Sequence, residues 1–340
     1  TLYCDHAASN RNEEARMTAT RLTLICAAAA LVAGAALPLP AGAQSYPMKP
    51  VRVIVPFGPG GGSDTFARLF AQRLADHFGQ PFVIENRPGA GALVGTKALV
   101  EAAPDGYTIM ISSSSWLTSA AVAKPAFDPV NNVIPIAEVG YTVFVLAVHP
   151  SLPVKNTKQL IALARDRPGE LAYGHPGTGS ITHLSMEHLL GLANVRMLAV
   201  PYKSGGAVMP DVIAGRTQLI LSGQVNVMPH ATTGKLRLLG VSSAKRAKML
   251  PDVPPLNETL PGYTIVSWFG AVTPRRTPHA VVKSLKEALG KIAQDPELQR
   301  ATEGQGITLT GSTIEEIAQQ ARADYERWSK LVEKQNIRIN

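Results

Sequence analysis

Three short stretches hold most of the chemistry this sequence can offer. The first, "VPFGPGGGSDTFAR" (Val55–Arg68), sets Gly60, Gly61, Gly62, Ser63 and Asp64 between an apolar run and an amphipathic pattern. Ser112, Ser113, Ser114 and Ser115 follow a second apolar run, and Gly177, Thr178, Gly179 and Ser180 precede a segment that carries His183. Small residues at the start of a helix leave backbone N–H groups and hydroxyls unpaired where the helix dipole is positive, so an anion can bind there without a lysine. Glycine also lets the backbone itself approach ligand oxygens. Any one such loop reads equally as a tight strand-to-helix turn, but three in one chain favour an anion site. Asp64 is expected to cap its helix and hold the loop, because a carboxylate beside a bound anion is repulsive.

Nucleotide and enzyme chemistries fit these stretches less well. In "GPGGGS" Ser63 stands where a dinucleotide loop needs its third glycine and Pro59 lies inside the turn, although Glu85 is acidic at about the right distance. Ser63 also stands where a P-loop needs lysine. No serine lies in a G-x-S-x-G elbow, which weakens the competing reading of an exported hydrolase that uses the same cleft. His183, Glu187 and His188 have neither zinc-helix spacing, so no metal or cofactor is expected.

The elements around these loops alternate. "VRVIVPF", "FVIEN" and "YTIMI" are β-rich runs separated by helical patterns, the first with Phe66, Phe70, Leu74 and Phe78 four residues apart. A second series begins near Pro150: strands at "LAYGH", "VRMLAVP", "TQLILSG" and "KLRLLGVSS", with helices at "TKQLIALARDRPG", "ITHLSMEHLLGLA" and "AVMPDVIAGR". After "YTIVSWFGAVTP" only helices are expected, the last opened by the capping box "STIE". These have no strands of their own to cover and should return to the first domain. The pattern predicts an α/β fold of two lobes: residues 46–148 with 264–340 form the first and residues 149–263 the second. A double-crossing hinge near His149 and Tyr263 puts the ligand between the lobes.

Of the 340 residues 45% are hydrophobic and 17% charged, an ordinary globular composition with a formal net charge of +8. Residues 1–43 are set apart. Met17 is followed by Arg21, the apolar stretch Leu22–Leu37 and Ala41-Gly42-Ala43, which reads as a signal peptide cleaved after Ala43, with residues 1–16 upstream of the true start. Alanine content, shortness and two prolines disfavour a membrane anchor. Both cysteines, Cys4 and Cys26, fall in this part, so the exported chain relies on its core. A basic protein outside the cytoplasm suits anionic small molecules, and the absence of a basic run or a reading motif argues against nucleic acid.

The stretches "PFGPGGGSDTFAR", "ENRPGAGALVGTKALVEAAPDGYT", "GTGSITHLSMEHL", "VPYKSGGAVMPDVIAGR", "GKLRLLGVSSAKR", "LPDVPPLNE" and "SWFGAVTP" resemble, in order, the signatures of the Bug (TctC-like) extracytoplasmic solute receptors. The resemblance spans the chain after the leader. It implies a periplasmic-binding-protein fold of type II-like character, without a cofactor or enzymatic activity, that closes on a small organic carboxylate. It also implies delivery to the membrane subunits of a tripartite tricarboxylate-type transporter by a monomeric receptor, with a sensory receptor that hands its bound state to a signalling partner as the alternative. Carried across, it places one clamp at Gly60–Asp64 with Ser113 and Ser115 beside it, and a second at Gly177–Ser180, Thr182 and His183, with Tyr202 and Gln224 as further contacts. Three places depart from the family pattern: Ala92 and Arg276 stand where glycine is common, and Gln218 and Leu221 replace a "D-x-x-F" pair.

Overall fold

β-branched runs without alternating polarity belong in strands covered on both faces, and the computed structural model, which describes residues 46–337, bears this out. The expected leader, its cleavage after Ala43, and both cysteines lie outside those residues. Among the described residues no helix is long and apolar enough to cross a membrane.

Strand β1 (Val51–Val55) pairs in parallel with β2 (Phe82–Asn86) on one side and β3 (Thr108–Ser113) on the other. The glycine loop leads from β1 into helix α1 (Gly62–Phe78), which buries Phe66, Phe70 and Leu74 and ends on the left-handed Gly79 at φ 67°. Helix α2 (Leu93–Val100) joins β2 to β3, and the serine run leads from β3 into α3 (Ser115–Ala123). β9 (Val266–Pro274) then pairs antiparallel with β3.

Strand β4 (Val133–Val148) is 16 residues long, about three times the usual strand, and it belongs to two sheets. Up to Val143 it pairs antiparallel with β9, and over Gly140–Thr142 also with β10 (Ile307–Leu309). From Phe144 onward it pairs with β7 (Leu219–Gly223), and from Val145 with β8 (Arg237–Val241). The second sheet is completed by β5 (Ala172–His175), parallel to both β6 (Leu198–Pro201) and β7. The chain returns where Ile265 N–H donates to Ser242 O at 2.8 Å, one residue before β9 begins.

Helices α4 (Thr157–Asp166) and α5 (Ile181–Ala193) cover one face of the second sheet, with Leu160 and Leu189 against Leu219 and Leu221. Helices α6 (Gly205–Ile213) and α7 (Gln224–Ala231) cover the other, with Val208 and Val227 against Ile220. On the first sheet α8 (His279–Ala293) and α9 (Pro296–Glu303) bury Leu285, Leu289 and Leu298 beside α1.

The last helix, α10 (Ile314–Gln335), returns to the first sheet and also reaches the second. Its Ile317 and Ala321 pack with Trp116 and Trp268, whereas Trp328 and Val332 pack with Leu184 and Leu189 in the core of the second sheet. Its capping box is one residue later than the sequence suggests. Thr313 and Glu316 form it, because the Ser312 hydroxyl is taken by Glu138 N–H at 2.9 Å. Strand β10 is a further departure from the all-helical C-terminal expectation; three residues are too few for periodicity to reveal.

Candidate functional site

Five helices direct their first turns at one cavity between the two sheets. Gly61, Gly62 and Ser63 reach it at the start of α1, and Ser115 at the start of α3. From the opposite side come Ile181 and Thr182 of α5, Gly205 of α6, and Gly223, Val225 and Asn226 at the start of α7. Strand residues Ser113, Thr142, Ser222 and Ser267 complete the polar lining, and Phe57, Phe144, Phe269 and Ile307 supply apolar wall. The cavity volume, about 70 Å³, is several times what one water requires. None of the residues lining it has an ionisable side chain.

The field inside therefore comes from the backbone. Among the described residues no side chain caps α1, α3 or α7, so their first-turn N–H groups, apart from Leu117 N–H of α3 which donates to Ser114 O, keep their donor capacity, whereas Ser180 and Ser204 cap α5 and α6. Five positive dipole ends facing one space favour an anion. Two hydroxyls in the wall, Thr182 Oγ1 and Ser267 Oγ, are buried without a hydrogen-bond partner among the described residues. Ser113 Oγ and Ser115 Oγ lie 3.0 Å apart, and Ser115 Oγ accepts from Ile181 N–H at 3.1 Å.

Asp64 does not line the cavity. Its carboxylate accepts from Gly60 N–H at 3.0 Å, Arg68 Nε at 3.0 Å and Asn86 Nδ2 at 2.8 Å, and so fixes the glycine turn from behind. Burial alone would raise its pKa, but these donors together with the Arg68 charge hold it below the usual carboxylate range.

Of the residues expected from sequence, the structure brings Gly61, Gly62, Ser63, Ser113, Ser115 and Thr182 together around the cavity. The others stand outside its lining. Gly60 gives its N–H to Asp64; Gly177, Thr178 and Tyr202 border a neighbouring groove, where the Tyr202 hydroxyl donates to Asp211 at 2.7 Å. Gly179 O accepts from Thr118 Oγ1 at 2.7 Å, Ser180 caps α5, and Gln224 opens onto a separate groove against Gly306. His183 is buried, its ring centroid 4.3 Å from that of His175, and its Nδ1 accepts from Gly179 N–H at 3.3 Å. Burial lowers the His183 pKa to about 4; burial, and then the neighbouring His183, lower that of His175 to about 3. Both rings are neutral spacers beneath the loop.

Thr142, Gly205, Ser222, Gly223, Asn226 and Ser267 were not expected from sequence. A signal existed for some: Ser204-Gly205-Gly206 is an N-cap followed by a glycine first turn, and Gly223 ends a strand as the other loops do. Thr142 and Ser267 carry none, since they reach the cavity only because β4 and β9 run past it. Trp116 and Trp268 are core residues, packed edge to face at 6.4 Å, while Phe269 does line the cavity.

The two walls already touch. Gly58 N–H donates to Lys203 O at 3.0 Å, Ser204 Oγ to Pro59 O at 3.3 Å, and Gly60 O lies where a Cβ on Gly206 would come within 2.4 Å of it.

The family profile described as "Tripartite tricarboxylate transporter family receptor", TctC, matches residues 66–337. The chain belongs to this family. Its curated relatives include protein BugT of Bordetella pertussis, 31% identical over 327 residues that span 95% of this chain and all of BugT. Among solved structures, Rpa4515 of R. palustris with adipate is 32% identical with a TM-score of 0.82, covering 86% of this chain and 99% of that one. MatC of Rhodopseudomonas palustris with bound malate is 27% identical with a TM-score of 0.81, covering 84% and 100%. The periplasmic binding protein BugD, at 28% identity and a TM-score of 0.82 over 86% and 99%, shares the two-lobed α/β fold. TctC proteins are periplasmic solute-binding receptors, and this chain has their architecture over the whole described length.

Proposed function

We propose that this TctC-family protein captures a small carboxylate-bearing organic anion between its lobes in the periplasm and delivers it to a tripartite tricarboxylate-type transporter. The observation that carries the reading is the convergence of five helix N-termini, three without a side-chain cap, on a cavity lined by no charged side chain. Each terminus contributes about 0.3–1 kcal/mol when exposed and more when enclosed. Desolvated on closure, such a set is sufficient for micromolar affinity, about −8 kcal/mol. The adipate and malate in the solved relatives support the carboxylate class. The hinge is best placed at Val143–Phe144 of β4 and at Ile265–Val266, where strand pairing passes from one sheet to the other.

A thermal-shift screen tests the reading, because a ligand that binds only the folded state raises the melting temperature by mass action. A mono- or dicarboxylate of about four to six carbons should raise it. Shifts confined to sugars or cationic amines would sink the carboxylate assignment.

A further inference from the structure

A second concave surface lies on the far side of the cavity wall, a groove of about 760 Å³. One side is the segment after β8, with Lys245, Arg246 and Lys248; the other is the end of α9, with Arg300 and Glu303. Ala247 interrupts the Lys245–Lys248 run, which leaves three basic residues that do not stand out as a basic stretch in the sequence. Lys248 pairs with Glu303 at 3.5 Å and Arg246 approaches Glu258 at 3.9 Å, whereas Lys245 and Arg300 form no ion pair among the described residues. The groove is apolar between these rims. Met249 and Val266, 43% and 39% exposed, are two of the few large hydrophobic side chains left open to solvent, and both line it.

We infer that this groove docks an acidic, amphipathic segment of a partner protein. The rim's four cations meet two carboxylates, Glu303 and Glu258, which leaves Lys245 and Arg300 without an ion pair among the described residues and favours an occupant that brings negative charge. All four cations are exposed. A site for a small free anion would enclose its charges, whereas exposed charges around an apolar floor form the rim and centre of a protein interface. A flat anionic bilayer would meet the rim and leave the floor empty.

The position gives the partner something to sense. Tyr141–Val143 and Val266 lie at the changeover between the sheets, and the rims come from opposite sides of it. Thr142 and Ile307 form part of both this groove and the cavity. Gln224 is in the wall as well, buried, with Oε1 unpartnered among the described residues. An occupant spanning both rims is therefore coupled to lobe position, whatever solute fills the cavity.

The test uses the full chain and a fluorescein-labelled peptide of alternating glutamate and leucine, with a lysine–leucine peptide of equal length as control, followed by fluorescence anisotropy. The acidic peptide should bind, and binding should weaken as salt rises. K245E with R300E should weaken it about tenfold while leaving melting temperature and solute binding unchanged. Three results would each overturn the inference: equal binding of both peptides, binding indifferent to K245E/R300E, or no peptide binding while the chain sediments with phosphatidylglycerol-rich vesicles. Loss of solute binding in the screen above, with peptide binding intact, would count against the solute reading alone.

Discussion

At the scale of single residues, Ala92 and Arg276, which the family resemblance marks as departures from glycine, both hold backbone positions of positive φ. Ala92 sits at φ 109° at the start of α2, and Arg276 at φ 74° in the turn after β9. Side chains other than glycine are strained there by about 1–2 kcal/mol. At Ala92 the buried methyl, about 0.8 kcal/mol, offsets much of that strain. Arg276 is exposed and forms no ion pair among the described residues, so nothing of the kind offsets its strain. Arg276→Gly should raise stability by about 0.5–1 kcal/mol once the added freedom of the unfolded chain is deducted, read as a melting temperature about 2 °C higher. A lower melting temperature would mean that the guanidinium makes a stabilising contact.

At the scale of elements, α5 rests its first turn on two neutral histidines. An unfolded histidine titrates near 6.5 and folded His183 near 4, so between these values the unfolded chain binds more protons and stability falls as pH falls. His175 acts in the same direction. Burial raises the pKa of Glu187, which accepts from the Tyr173 hydroxyl, and this opposes the trend only at the acidic end. From pH 7 to pH 5 the His183 contribution alone is about 2 kcal/mol. Urea unfolding across that range should show the loss, and His183→Asn, whose Oδ1 can accept from Gly179 N–H in place of Nδ1, should flatten it. An unchanged slope would place the titration elsewhere. His183 itself was legible as chemistry in the sequence, but its use as a spacer follows from burial, which no spacing along one chain reveals.

At the scale of the whole molecule, the two walls of the cavity meet through glycines. A methyl on Gly206 would lie 2.4 Å from Gly60 O, a contact between backbones that neither loop can relieve by a rotamer change. Gly206→Ala should therefore leave α6 intact or slightly more stable, while weakening solute binding at least tenfold and enlarging the radius measured by small-angle scattering. Gly290, in α8, has nothing within 4 Å of the place a methyl would take, and it serves as the control: Gly290→Ala should stabilise without touching affinity. Parent-like affinity in Gly206→Ala would show that the observed wall contact is not needed for capture.

The sequence by itself determined the α/β rhythm, the family, and half of the cavity's polar and glycine lining: Gly61–Ser63, Ser113 and Ser115 lie where strands give way to helices, a local pattern visible in one dimension, and Thr182 came with the family resemblance. Only the tertiary structure decided the rest. That β4 serves two sheets, that Thr142 and Ser267 reach the cavity, and that Gln224 faces away from it depend on where distant strands pair and cross. Periodicity records which face of a segment is buried, but not which other segment buries it.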